Sequence, residues 1–363
     1  MTRNKERFIS LDVLRIICCF MVIAIHILMS YRNINEAANM SILTLEAFCR
    51  CCVPIFLMLT GFFMFNRQKT VKEVIAYVAK RIILPTIILL LFIQVFSQWL
   101  YGKNTFVECI LQIDVEDFKS IILMFTSWKM PYPNFWLWYI TTLVQMYFLY
   151  PLLKYICVDK HEENIVRRGY LVICCLAKMV IPTMDKIIPG VASSLYVYTP
   201  FTHWAYVYLL LGYEFSLLYE KKSKILNIKW GLILYVLGNI ITLALTKYID
   251  IADNNLFDHL FWDMNILSIA ISAIGLFIVF LKLPKNSLNF NKAISQISST
   301  TFIIYLIHYP VTLKLNNMGL FGWFRNSYGV TGGCILFSIS VFCIAYLIAT
   351  ILQNIKKIKI LFK

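Results

Sequence analysis

The chain has 363 residues, of which 60% are hydrophobic and only 15% charged, and its mean hydropathy is +0.72. This composition lies far from that of soluble domains and leaves no room for a separate soluble catalytic domain. The net charge of +15 invites nucleic acid as a partner, but the basic residues fall where a membrane topology would put them, so nucleic acid binding is not expected.

The first apolar run, 8–29, is long enough to cross a bilayer as a helix. It contains Arg15 and His26, eleven residues apart, which is close to three turns and places them on one face roughly 16 Å apart along the axis. Asp12, Cys19 and Val22 share that face by the 3-4-3-4 spacing. A charge held in hydrocarbon costs a few kcal/mol, so membrane helices turn such groups towards a protein-lined cavity. The pair therefore implies a polar path through a helical bundle. No small-residue cleavage site follows the run, so it is expected to remain as an anchor.

The second span is expected at 42–65 and carries Glu46 and Arg50 at i, i+4. Two readings are open: the two charges neutralise each other, or Glu46, near the depth of His26, holds the imidazole in one tautomer and makes it a usable base. Pro54 and Thr60-Gly61 are expected to interrupt this span, either freeing backbone groups to line a cavity or easing helix packing. The third span, 82–100, begins just after Lys80-Arg81 and contains Pro85. Adjacent cations there are either snorkelling anchors or a binding site for the phosphates of a nucleotide carrier.

The longest connection, 101–134, alternates apolar residues with Asp114, Glu116 and Asp117 over 106–128. It is expected to form a short amphipathic helix along the outer surface, a candidate lid. The fourth span, 135–156, opens with Phe135-Trp136-x-Trp138-Tyr139; such rings belong to an interfacial belt or stack on sugars. Further spans at 169–188, 200–219, 230–248, 262–281, 298–316 and 330–353 bring the total to about ten. Lys178, Asp185 and Glu214 are read as structurally paired charges. His308 lies near the centre of the ninth span, with Tyr305 one turn before it and Pro310 after it. It is either a satisfied core residue or a proton or hydrogen-bond partner in the site. His161 and His259 fall in loops and receive no role.

With the N-terminus in the cytoplasm, the inner segments hold 23 of the 34 Lys and Arg residues, including Arg3, Lys5, Arg7, Arg67, Lys69, Lys72, Lys80, Arg81, Lys160, Arg167 and Arg168. The outer segments hold seven, among them Arg32, Lys103 and Lys129. The positive-inside rule then predicts that both termini are cytoplasmic. The outer loop 249–260, with Asp250, Asp253 and Asp258 and no Lys or Arg, fits that orientation. The eleven cysteines, three pairs of them adjacent, read as apolar packing residues and not as a disulfide framework or metal site. No internal repeat stands out.

Five segments in chain order carry a resemblance. They are RFISLDVLRIICCFMVIAIH with Asp12, Arg15 and His26; FCRCCVPIFLMLTGFFMF with Arg50, Pro54 and Thr60; KRIILP with Lys80, Arg81 and Pro85; FWLWYITTLVQMYFLYPLL; and STTFIIYLIHYPV with His308. Together they resemble the membrane-bound acyltransferase-3 family, which includes O-acetyltransferases of bacterial surface polysaccharides. Thr60 stands where that family usually has Ser, and 82–84 lacks the second Arg often found before the proline.

The resemblance implies an all-α polytopic transmembrane domain over 1–363, with core motifs over about 7–353 and a basic cytoplasmic tail at 354–363, in a bacterial cytoplasmic membrane. It implies transfer of an acyl group, most simply acetyl, from cytoplasmic acyl-CoA to a hydroxyl of a cell-surface or lipid-linked glycan, without a metal. In this reading His26 is general base or acyl carrier, assisted by Glu46 and His308. Arg15, Lys80 and Arg81 hold the donor. Arg50, Tyr305, Trp138 and Tyr139 face the substrate or the developing oxyanion. The competing class is a transporter or flippase for a lipid-linked sugar, which would need no acyl-CoA.

Overall fold

The computed structural model describes residues 7–31, 36–66, 70–101, 105–127, 135–157, 163–188, 190, 203–252, 263–283 and 291–355, and every regular element among them is helical. Among the described residues, five helical stretches are long and apolar enough to cross a membrane: Ile9–Tyr31, Met40–Met64, Val71–Val95, Ile228–Lys247 and Leu320–Asn354. The chain is a multi-pass membrane protein. The helix expected at 262–281 begins only at Leu267, and several other expected spans are assembled from shorter helical pieces. Arg3, Lys5, Arg32, Arg67, Lys69, Lys103, Lys129, Lys160, Asp253, Asp258, His161, His259 and the basic tail from 356 onward lie outside the described residues, as do 102–104 and 128–134 of the expected lid.

Helix α1 (Ile9–Tyr31) runs unbroken, because nothing in ISLDVLRIICCFMVIAIHILMSY interrupts it: it contains no glycine or proline. It packs chiefly against two later helices, α15 (Asn291–Asn317) and α16 (Leu320–Asn354), and against α2 (Glu36–Cys49) and α3 (Cys52–Met64). The expectation for the second span is half corrected. Its helix steps at Arg50-Cys51, between α2 and α3. Pro54 accounts for the place: it has no N–H to give the Arg50 carbonyl, and its ring crowds that carbonyl. Thr60-Gly61, by contrast, leaves α3 intact. The Thr60 hydroxyl donates back to the Phe56 carbonyl at 2.9 Å, and Gly61 serves a close crossing. A Cβ there would lie 1.8 Å from the Leu209 carbonyl oxygen, and one at Gly212 would lie 2.0 Å from that of Met58. Backbones of α3 and α12 (Trp204–Glu220) thus touch through two small residues, as membrane helices favour.

The third span begins at α4 (Val71–Val78), earlier than 82, and passes through a π-turn, Ala79–Ile83, into α5 (Leu84–Tyr101). Thr70 and Glu73 form a reciprocal capping box at its start, a signal the hydrophobic run alone does not contain. Pro85 explains the wide turn, since the Arg81 carbonyl four residues earlier has no N–H to receive. The expected surface helix is two helices, α6 (Phe106–Leu111) and α7 (Val115–Ser127). The Gln94 side-chain amide donates to Asp117 at 2.7 Å and ties α7 to α5.

A short 3-10 turn, Phe135–Leu137, leads into α8 (Trp138–Phe148) and then α9 (Tyr150–Cys157). Helix α10 (Glu163–Cys175) continues through a second π-turn, Leu176–Val180, into α11 (Ile181–Ile187). Arg167, expected in an inner loop, is instead buried in α10. Its Nε donates to Glu214 of α12 at 2.6 Å, and its guanidinium lies over the Tyr213 ring at 5.2 Å. This pairing answers the charge on Glu214. Beyond α12, α13 (Ile228–Ala252) and α14 (Leu267–Lys282) pack tightly together, with Gly231, Gly238 and Gly275 at their crossing. Helix α16 is kinked at Gly329, whose φ of 73° only glycine adopts freely.

Candidate active site

The site lies where α1 and α15 run alongside each other. On α1 the 12, 15, 19, 22, 26 face meets a matching face of α15 formed by Ser298, Thr301, Tyr305 and His308 at 3-4-3 spacing. The helices are stitched by polar contacts at one end and by ring contacts at the other.

At the Arg15 end, one buried carboxylate organises three partners. Asp12 Oδ1 accepts from Arg15 Nη1 at 3.0 Å and from the Ser298 hydroxyl at 2.7 Å, while Oδ2 accepts from Arg7 Nε at 2.5 Å. Arg15 Nη1 also donates to Ser298 Oγ at 3.1 Å, and its guanidinium lies 5.9 Å from the Phe63 ring centroid. The guanidinium is held in place, yet the Arg15 side chain keeps 30% of its surface exposed. That exposed part lines a cavity of about 620 Å³ together with Thr60, Tyr77, Arg81, Tyr147, Ser298 and Thr301. The π-turn carries Arg81 to this cavity; Lys80, its neighbour, is exposed and does not line it.

At the His26 end, a smaller cavity of about 210 Å³ is lined by His26, Arg50, Cys52, Val53, Trp136, Trp138 and Met264. Arg50 stands at the step between α2 and α3 and pairs with buried Glu46, one turn earlier. The first reading of that pair, mutual neutralisation, is thus realised. The ring beside His26 is His308, with centroids 5.3 Å apart and planes inclined by 33°. His308 is fully buried, and its Nδ1 lies 2.6 Å from the Tyr305 carbonyl oxygen. A carbonyl can only accept, so Nδ1 carries the proton. Its Nε2 has no hydrogen-bond partner among the described residues. Trp136 stacks on Tyr309 at 4.6 Å, and its carbonyl accepts from the Tyr305 hydroxyl at 2.5 Å.

Tyr139 and Tyr305 line both cavities. The two spaces therefore abut at this pair of rings, with Arg15 and Arg81 on one side and His26 on the other. Of the residues singled out in the sequence, His26, Arg50, Trp138, Tyr139 and Tyr305 share the smaller cavity, Arg15 and Arg81 share the larger, and His308 and Glu46 stand behind the lining. The roles of Asp12, Ser298 and Trp136 were not anticipated. The Ser298–His308 periodicity was the available signal for the first two, because it mirrors the face of α1. Among the described residues no group of three or more His, Cys, Asp or Glu side chains is placed to hold a metal ion.

The fold and the buried cationic and histidine-bearing site define a multi-pass membrane protein with a polar interior. The acyltransferase-3 family, described as an acyltransferase domain, matches residues 8–352, and the chain belongs to it. It is a membrane acyltransferase. No curated protein and no solved structure matches the chain.

Proposed function

We propose that this protein moves a short acyl group, acetyl by preference, from cytoplasmic acyl-CoA to a hydroxyl of a cell-surface or lipid-linked glycan, with both chain termini in the cytoplasm of a bacterial cell. The observation that carries this reading is the pair of abutting cavities. One offers cations to an anionic donor; the other offers an imidazole and aromatic rings; Tyr139 and Tyr305 lie between. The distribution of Lys and Arg along the chain supports a cytoplasmic position for the Arg15 end.

In this mechanism Arg15, steadied by Asp12 and Ser298, and Arg81 hold the phosphates of the donor. The pantetheine arm passes Tyr139 and Tyr305 and brings the thioester to His26. Neutral His26 takes the proton of the acceptor hydroxyl as that oxygen attacks the thioester carbonyl, a contribution of about 10²–10⁴-fold for a positioned base. Arg50 stabilises the oxyanion of the tetrahedral intermediate. Collapse expels the CoA thiolate, which takes the proton from His26 and leaves as the thiol. Trp138 and Tyr139 offer ring faces to the sugar.

The test is transfer of isotope from labelled acetyl-CoA to surface glycan in cells carrying wild type or His26→Ala. Loss of label in the variant is expected; equal labelling in both would overturn the assignment. Label retained on the protein with donor alone would identify an acyl-His26 intermediate in place of direct transfer.

A further inference from the structure

We infer that His308 is the positioning residue of His26: its Nε2 accepts a hydrogen bond from the His26 ring and turns the other His26 nitrogen, with its lone pair, towards the smaller cavity. This rests on the acyl-transfer reading above and names the partner of its base.

The inference starts from His308 itself. Its Nδ1 is committed as a donor to the Tyr305 carbonyl at 2.6 Å. A neutral imidazole with a proton on Nδ1 has a pure acceptor at Nε2. That acceptor is fully buried and lacks a partner among the described residues, a situation native interiors rarely leave in place. The neighbouring imidazole, 5.3 Å away centre to centre, is His26, and a neutral imidazole has one N–H to give. Small rotations of two rings at this spacing bring ring nitrogens within hydrogen-bond reach.

Other groups around His26 are less suited to hold it. Arg50 and Trp136 bring donors, and a donor cannot receive the His26 N–H. The Glu46 carboxylate is engaged by Arg50 on its own stretch of chain. The Tyr305 hydroxyl donates to the Trp136 carbonyl, and Cys52 brings a weakly polar thiol. His308 presents a buried acceptor whose proton is fixed elsewhere, at the Tyr305 carbonyl.

The arrangement has a chemical consequence. Fixing the tautomer of His26 makes the nitrogen facing the cavity the basic one. When His26 takes the acceptor's proton, its bond to His308 becomes charge-assisted and strengthens. The backbone carbonyl of Tyr305 then plays the part of the outer orienter. No net charge is buried behind the base before reaction begins.

The experiment compares His308→Leu, which keeps an apolar filler, with His308→Gln, whose Oε1 reaches the Nε2 position, in detergent-purified full-length protein supplied with acetyl-CoA and glycan acceptor. His308→Leu is expected to lower kcat by about 10²-fold or more with KM for acetyl-CoA changed less than threefold, and His308→Gln to recover at least a tenth of wild-type kcat. Equal kcat for the two variants would overturn the inference. Because either variant can fail to fold, ¹⁵N spectra of histidine-labelled wild type and His26→Ala provide an independent reading. The His308 Nε2 signal is expected to move towards that of a free acceptor when His26 is removed; an unmoved signal would overturn the inference. Wild type that transfers no acyl group would instead sink the acyl-transfer reading, while the spectra would still decide the hydrogen bond.

Discussion

Tyr139 and Tyr305 meet edge to face, with ring centroids 5.7 Å apart, and both border the two cavities of the bundle. The hydroxyl of Tyr305 is anchored to the Trp136 carbonyl, so this pair of rings is pinned on one side. Tyr305→Phe removes that anchor and one hydrogen bond to a buried carbonyl. A loss of about 1–3 kcal/mol of stability is expected, read from thermal unfolding in detergent, together with a lower kcat at near-constant KM for acyl-CoA. An unchanged melting temperature and kcat would separate the hydroxyl from both stability and turnover.

Asp12 is the hub of the Arg15 end. Asp12→Asn keeps its shape and an acceptor for Ser298 but removes the charge that holds Arg7 and Arg15. Charge-assisted hydrogen bonds contribute about 1.5–3 kcal/mol, so KM for acyl-CoA is expected to rise by roughly tenfold or more. Ser298→Ala removes one of the three bonds to Asp12 and the contact from Arg15 but leaves both ion pairs, and is expected to have a smaller effect in the same direction. The kinetic constants of the two variants, measured side by side, check the order.

Arg81 lines the larger cavity and Lys80 does not. Arg81→Gln is expected to weaken donor binding severalfold, and Lys80→Gln by less than threefold. Both substitutions remove one charge, so a difference between them reports position and not net charge. Equal effects in a binding titration with CoA would place the donor elsewhere.

Arg167 and Glu214 form a buried pair, with side chains 2% and 10% exposed. Removing Arg167 leaves Glu214 to the exposed Arg168 guanidinium, 3.6 Å away, a poorer partner, while removing Glu214 takes the counter-charge from buried Arg167; breaking a buried pair costs up to about 3–5 kcal/mol. Arg167→Met is therefore expected to lower thermal stability sharply while the folded fraction keeps its kcat, because the pair lies away from both cavities. Glu214→Gln is expected to behave alike.

Gly61 leaves no space for a methyl group against the Leu209 backbone. Gly61→Ala is expected to force α3 and α12 apart and to destabilise by about 1–3 kcal/mol, with reduced membrane yield. Since Thr60 and Phe56 on the same helix line the larger cavity, KM for the donor is expected to rise as well.

Much of the site was legible because helical spacing and the cost of buried charge are strong constraints. Arg15 and His26 shared a face in the sequence and do so in the fold; the Glu46–Arg50 pair was one of two readings. The rest depended on other residues. Pro54 acts on a carbonyl four residues earlier, so its break appears at Arg50 and not at the proline. The start of α4 lay in the Thr70–Glu73 cap, which hydropathy does not register. Arg167 looked like a loop cation because its partner, Glu214, is 47 positions away. The companionship of His26 with His308 required knowing that α1 and α15 are neighbours, and no local pattern contains that.

Helix α1 has one further consequence. With no glycine or proline from Ile9 to Tyr31, it is a stiff rod that carries both Arg15 and His26, the proposed donor-binding guanidinium and the proposed base, at about 1.5 Å per residue. It therefore acts as a ruler. The interval between the two groups is set by covalent geometry and cannot be adjusted by sliding one element past another. On the proposed mechanism, a donor whose arm is shortened is expected to bind at the Arg15 end and fail to react, and one of full length to react without any movement of the rod.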